Sequence, residues 1–279
     1  MTVKELYASG LDRLKKSGCS DYAFDCDCLF SQFVGFDKIK RIISENSPVE
    51  PDKAEKFLSC VKRRADGEPL QYILGEWEFM GLNFKVGEGV LIPRPETEML
   101  VETANEYLHG RENCTVYDLC AGSGAIGLSV AAFNPSSTVY LFEKYDGALK
   151  FLRENAELSG LSNIHTVNYD IFDGSPCDLP KADVLLSNPP YIKNDDVPHL
   201  QKEVGFEPDT ALKGGDDGLD FYRAIHDKWF DSINKGGICV FECGDGQSED
   251  IKSIFSDKPC EISVLYDFND IDRTVKINV

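Results

Sequence analysis

The sequence predicts an α/β protein, a doubly wound and mainly parallel sheet of seven strands preceded by a small all-helical domain. Three observations carry this. From residue 113 onward, short apolar runs rich in β-branched and aromatic residues alternate with helical stretches. A glycine-rich turn, CAGSGAIG, joins the first of these runs to a helix. Residues 1–66, by contrast, show helical spacing only.

Four helices account for that first segment. Leu6, Leu11 and Leu14 mark one apolar face, Phe24 to Val34 a second and more apolar helix, and Ile39 to Ile43 a third. Pro51 and Asp52 open a fourth, which runs through Phe57, Leu58 and Val61. The stretch EPLQYILGEWEFMGLNFKVGEGVLIPRPETE then changes character. Gly75, Gly81, Gly87 and Gly89 punctuate aromatic and β-branched runs, the pattern of a hairpin linker. Strands are expected at 115–119, 138–143, 164–170, 182–188, 237–244, 261–268 and 274–279, with helices between the first five. Only a short loop separates the last two, so they should form an antiparallel hairpin at one edge of the sheet. The expected division is therefore a helical domain over 1–70, a hairpin linker over 71–95 and a catalytic domain over 96–279.

Composition narrows the function. The chain has 279 residues, 42% of them hydrophobic, enough for one large α/β domain and a smaller attachment. No run approaches the roughly 18 consecutive apolar residues of a membrane span, and the N-terminal MTVKELYASGLDRLKKSG lacks the plan of a signal peptide. A cytoplasmic protein with no membrane partner is expected. The ten cysteines include no CxxC pair and the four histidines are scattered, so reduced thiols are expected, with neither a metal site nor a disulfide framework. Net charge is −19, and residues 1–70 hold twelve Lys and Arg against twelve Asp and Glu, so the whole excess lies on 71–279. Such a surface repels polyphosphates, which argues against DNA as a partner.

The chemistry is carried by four strand ends. Gly122, Gly124 and Gly127 satisfy GxGxxG, a turn through which backbone N–H groups can approach a ligand. Dinucleotide and S-adenosylmethionine folds both use it, and alone it does not choose between them. Glu143 ends the second strand, about twenty residues on, where an acid can accept ribose hydroxyl hydrogens. Asp170, after the third strand, could face an adenine amino group or cap a helix; Ile171 or Phe172 could line the adenine instead. The fourth strand ends in Asn188-Pro189-Pro190-Tyr191. Prolines have no N–H, so this segment offers carbonyl acceptors without competing donors, and the Asn188 side chain adds an oxygen. Two acceptors suit an NH₂ group, and Tyr191 supplies an aromatic face. An amide or aromatic amino nitrogen is a poor nucleophile because its lone pair is delocalised. Accepting both its hydrogens returns density to the nitrogen and aims it at a methyl donor, whereas hydride transfer has no use for the arrangement.

Over nearly its whole length the chain resembles the HemK/PrmC family, the release factor glutamine N5-methyltransferases. "PLQYILGEWEF", "VLIPRPETE", "DLCAGSGAIGLSVA", "SNPPYI", "FEPDTAL", "GGDDGLDFYR" and "DRTV" occur in the family's order. The resemblance implies a Rossmann-like class I methyltransferase sheet. It implies S-adenosyl-L-methionine as cofactor, S-adenosyl-L-homocysteine as product, and as substrate the Gly-Gly-Gln glutamine of class-1 peptide chain release factors. Cys120, Ala121, Gly122, Ser123 and Gly124 would cradle the methionine end, Glu143 would bind the ribose, Asp170 or Ile171 would meet the adenine, and Pro95, Glu96 and Thr97 would roof the cofactor. Asn188 to Tyr191 would hold the target amide as the catalytic and substrate-binding group, with Asn188 also among the residues that contact the cofactor. The helical domain would dock the substrate. Two positions depart from the family: Cys120 stands where glycine is frequent, and Ile171 where some relatives have Trp. The tetrad alone is shared with enzymes that methylate DNA adenine or rRNA guanine, so an N6-adenine DNA methyltransferase is one alternative, although only KIKR (38–41) and KRR (62–64) offer basic clusters. Glutamine methylation of a ribosomal protein is the other.

Overall fold

The structure is a computed structural model describing residues 1–279. Eleven helices and nine strands follow in order: α1 Val3–Lys16, α2 Tyr22–Val34, α3 Lys38–Ile43, α4 Pro51–Ala65, α5 Leu70–Leu74, β1 Glu76–Phe79, β2 Leu82–Lys85, α6 Glu98–Leu108, β3 Thr115–Leu119, α7 Ala125–Phe133, β4 Thr138–Glu143, α8 Asp146–Ser159, β5 Ile164–Asn168, β6 Ala182–Ser187, α9 Asp209–Leu212, α10 Asp220–Lys228, β7 Ile233–Glu242, α11 Ser248–Ile254, β8 Glu261–Tyr266 and β9 Asp272–Asn278. None of the helices is long and apolar enough to cross a membrane.

Two compact units emerge, Met1–Glu76 with Gln201–Phe206, and Trp77–Leu200 with Glu207–Val279. In the first, α1 starts with a capping box in which Thr2 and Glu5 satisfy each other's backbone N–H groups. Leu6 and Leu14 are buried against α2 and α4, and Tyr7, Phe30 and Phe57 meet edge to face. The Arg64 guanidinium is buried between Asp25 (2.6 Å) and Glu203 (3.0 Å), which ties the distant segment 201–206 into this unit. Nothing local in the sequence announces that attachment.

In the second unit the seven-stranded sheet has the order β5-β4-β3-β6-β7-β9-β8. The first five of these pair in parallel; β9 is antiparallel to both β7 and β8, the edge hairpin expected from the short loop. Strict alternation divides the core. Val116, Val139, Leu141, Val184, Leu186, Ile238 and Val240 form one face with residues of α6, α7 and α8, while Tyr117, Leu119, Phe142, Leu185, Cys239 and Phe241 form the other with α10 and α11. The β1–β2 hairpin joins the first of these cores through Phe79 and Phe84. One expectation fails: between β5 and β6 there is no α-helix, only a 3-10 turn at Ile171–Asp173 and irregular chain. That connection passes from the sheet edge back over β4 and β3, and Gly174, Pro176 and Pro180 break helical continuity on the way. Because the strand order reverses direction between β3 and β6, their carboxyl ends part there and leave a crevice.

Candidate active site

The crevice is a cleft of about 910 Å³ with its mouth included, lined from the carboxyl ends of β3, β4, β5 and β6 and by segments 89–97 and 208–221. It brings together Thr97, Cys120, Ala121, Gly122, Ser123, Glu143, Asp170, Ile171, Phe172, Asn188 and Pro190. Five residues expected in the site, Pro95, Glu96, Gly124, Pro189 and Tyr191, do not line it. Gly124 is the N-cap of α7, and Pro189 and Tyr191 flank the lining residues Asn188 and Pro190 without lining the cleft themselves. Pro95 and Glu96 form the 3-10 turn that leads to Thr97.

The glycine turn is shaped by two constraints. Gly122 has φ +58°, and a Cβ there would meet nothing nearer than Val90 at 4.0 Å, so its demand is conformational and its exposed side is open to the cleft. Gly127 is the reverse case, since a Cβ would lie 2.7 Å from Leu141 and 2.9 Å from Asp118. That closeness lets the Gly127 N–H donate to Asp118 Oδ2 (2.9 Å). Cys120 occupies the left-handed region at φ +60°, a strained choice for a side chain and the reason glycine suits the position. Burial and the neighbouring Glu143 carboxylate push its thiol well above the usual range, which disfavours the thiolate.

Glu143 ends β4 almost fully buried. Its Oε2 accepts the Gly122 N–H (2.9 Å) and its Oε1 the N–H groups of Lys144 and Tyr145 (both 2.8 Å). About three of the carboxylate's four acceptor positions are thereby used, leaving roughly one for a ligand hydroxyl. Burial raises its proton affinity and the three N–H donors pull it back. Asp170 caps the 3-10 turn by accepting the Phe172 N–H (3.0 Å) and pairs with Lys144 Nζ (2.6 Å). Burial works against the ionised form of Asp170, but these partners still hold its carboxyl low. Ile171 is buried in the wall, and Phe172 meets Phe221 edge to face at 5.0 Å. Beneath them Tyr117, Phe142, Tyr169 and Trp229 pack edge to face, and the Trp229 indole N–H donates to the Ile171 carbonyl (2.8 Å).

The tetrad is held from behind. Gln247 donates to the Tyr191 carbonyl (3.0 Å), and the Ile192 and Gly214 main chains exchange bonds with Leu212 and Ile192. The Asn188 amide donates to Thr97 Oγ1 (3.3 Å), Thr97 donates to Glu242 Oε2 (2.5 Å), and the Tyr191 hydroxyl donates to Glu242 Oε1 (3.3 Å). Sequence reasoning missed Glu242, Gln247 and the buttress at Gly214. A signal for the first was present, because in ICVFECG an acid stands in an otherwise apolar strand.

Comparison with known proteins fits this geometry. The chain is 33% identical over 278 residues to the release factor glutamine methyltransferase of Clostridium acetobutylicum, covering 99% of this chain and 98% of that one. It is 37% identical over 267 residues to the enzyme of the same name from Geobacter sulfurreducens, covering 94% and 91%. The chain belongs to the release factor glutamine methyltransferase family. Two family models match it, the PrmC N-terminal domain over residues 5–75 and the methyltransferase small domain over residues 95–205. In fold alone, the hMettl16 catalytic domain, solved in complex with the MAT2A 3'UTR hairpin 6, is similar at a TM-score of 0.58 and 14% identity, covering 83% of this chain and 84% of that one.

Two buried carboxyls give this release factor glutamine methyltransferase relative a distinct pH response. Burial pushes Asp118 up to about 7 and Glu242 up to about 6, from ordinary values of 3.8 and 4.5. The folded state therefore binds more protons than the unfolded chain in this window, so stability is greatest at its acid end and falls as pH rises through 6 to 7. Asp217, held at about 2 by Arg223, titrates below the window. Urea midpoints are expected to decline from pH 5 to pH 8, and Asp118→Asn should flatten part of the decline. A level or rising midpoint would contradict the assignment.

Proposed function

We propose that this enzyme transfers a methyl group from S-adenosyl-L-methionine to the side-chain N5 of the glutamine in the Gly-Gly-Gln motif of class-1 peptide chain release factors. The observation that carries the reading is the convergence of Asn188 and the glycine turn, with Glu143 beside it, on one cleft at the switch point of the sheet.

The residues present fit the cofactor. Gly122 leaves open space where a ligand can approach the backbone, Glu143 keeps an acceptor position for a ribose hydroxyl, and Ile171, Phe172 and Phe221 offer apolar surface for an adenine ring. When bound, S-adenosyl-L-methionine supplies a methyl on a positively charged sulfur; the S–C bond breaks as the N–C bond forms, and S-adenosyl-L-homocysteine and one proton are released. The chain's own work is positioning. Asn188 Oδ1 accepts one hydrogen of the target amide and the Pro189 carbonyl the other, since the Tyr191 carbonyl is taken by Gln247 and the Pro190 carbonyl lies against Gly214. Acceptance of both hydrogens raises the density on nitrogen, and the cleft supplies the aim. Tyr191, anchored on Glu242, stiffens the tetrad from behind.

Glu143→Ala is expected to weaken cofactor binding by about 1–3 kcal/mol, because a charged acceptor and the brace of the glycine turn are lost together. Turnover should largely recover at saturating cofactor, and calorimetry showing unchanged affinity would move the ribose contact elsewhere. The substrate is tested by incubating the enzyme and labelled cofactor with a lysate from a strain that lacks it. Label should appear on a release-factor peptide containing Gly-Gly-Gln, at the glutamine. Label on a ribosomal protein or on duplex DNA instead would overturn the assignment. The charge of residues 71–279 adds a second expectation. kcat/KM for the protein substrate, expected to be basic if this acidic surface faces it, should fall as salt shortens the screening length from about 10 Å at 0.1 M to 3 Å at 1 M, with single-turnover chemistry nearly constant.

A further inference from the structure

We propose that Glu242 and Thr97 set the direction of the Asn188 side chain, so that its amide oxygen, and not its amide nitrogen, faces the reacting nitrogen of the substrate. The inference rests on the glutamine-methyltransferase reading and assigns both residues a positioning role.

An asparagine amide is nearly symmetric in shape, and its two orientations are told apart only by which neighbours donate and which accept. At Asn188 the decision is made two bonds away. Glu242 is the last residue of β7 and is buried, 3% exposed. An ionised carboxylate only accepts, so the one Thr97 hydroxyl hydrogen goes to Glu242 Oε2. The Thr97 oxygen can then do nothing but accept, and its partner must be the Asn188 Nδ2–H. Oδ1 is left for the substrate. In the reversed orientation Oδ1 would face a hydroxyl oxygen with no hydrogen between them, and Nδ2 would confront the N–H groups of the target amide. The other Glu242 oxygen accepts the Tyr191 hydroxyl, so the same carboxylate braces both ends of the tetrad.

The groups facing Glu242 define what happens when it is protonated. Glu96 next to Thr97 opposes its negative charge, Arg273 on β9 favours it, and the Tyr222 hydroxyl of α10 is occupied by the Glu242 carbonyl (2.7 Å). A protonated Glu242 can donate to Thr97, which frees the threonine hydrogen to turn toward Asn188 and removes the preference. Transfer should therefore show an acid limb near pH 6, the value to which burial raises this carboxyl.

The test compares Thr97→Val, Thr97→Ser and Glu242→Gln in the full-length enzyme, with the release factor as substrate. Measured are the single-turnover rate at saturating reactants from pH 5 to 8, the Kd for S-adenosyl-L-homocysteine by calorimetry, and the melting temperature. Thr97→Val keeps the shape and deletes the hydroxyl, so at saturating reactants, where any change in Kd from altering a cleft-wall residue is removed, it should slow transfer about 10- to 100-fold. Thr97→Ser restores the hydroxyl and should recover the rate to within about threefold of wild type. Glu242→Gln should be slow at every pH and lose the acid limb; if that variant does not fold, the threonine pair decides. A full-rate Thr97→Val, an equal loss in Ser and Val, or a rise in Kd that accounts for the whole effect would each overturn the inference. So would an acid limb that survives in Glu242→Gln. A wild-type enzyme that leaves the release factor unlabelled would overturn the substrate reading and this inference with it.

Discussion

Asn188→Ala is expected to slow methyl transfer about 100- to 1,000-fold while cofactor affinity stays within a few-fold, the signature of losing one preorganised contact that matters in the transition state. The side chain sits at the end of β6, where Ser187 on the preceding position donates to the Leu119 carbonyl (2.7 Å) and secures the strand. Its nitrogen is engaged by Thr97, so the oxygen is the atom that faces outward. Alanine removes that acceptor and leaves the glycine turn and Glu143 in place. Single-turnover kinetics at saturating cofactor, paired with calorimetry, separates the two quantities. A mutant that has also lost cofactor binding would make Asn188 part of the cofactor site.

Gly214→Ala should have an effect of similar size by an indirect route. Gly214 lies in a loop that pairs with Ile192, the residue directly after the tetrad, and a Cβ there would come within 2.6 Å of the Pro190 carbonyl oxygen and 2.8 Å of Tyr191 Cα. Neither is the end of a flexible side chain, so the methyl can be housed only by moving main chain. Overpacking of this kind costs about 1–3 kcal/mol of stability. The larger consequence is for rate, since displacing the acceptors by about 1 Å is enough to cost about 100-fold. Cofactor affinity should be little changed, because Gly214 is not part of the cleft wall. A variant with full activity and an unchanged melting temperature would show that the loop gives way freely.

Residues 115–119, 138–143 and 182–187 could be read as strands because alternation with period two, bounded by turn residues, is a local pattern. Gly122 and the Asn188 tetrad were legible for the same reason, since each is a short run whose chemistry is complete within a few residues. The sequence by itself therefore determined the doubly wound sheet, the edge hairpin and the identity of the tetrad. It could not place Glu242. That residue is 145 positions from Thr97, and what joins them is the neighbouring of β6 and β7, in which Ser187 pairs with Phe241 and so sets Asn188 beside Glu242. Segment 201–206 belongs with the helical unit because Glu203 reaches Arg64, a partner 139 residues away. The connection from β5 to β6 is irregular although a helix was expected, and Tyr191 faces a buried carboxylate although it was expected to face the ligand. Local patterns report how a segment satisfies its own backbone and which face it buries. Which strand lies beside which, and so which side chains share a buried hydrogen, is settled only when the whole sheet closes its core.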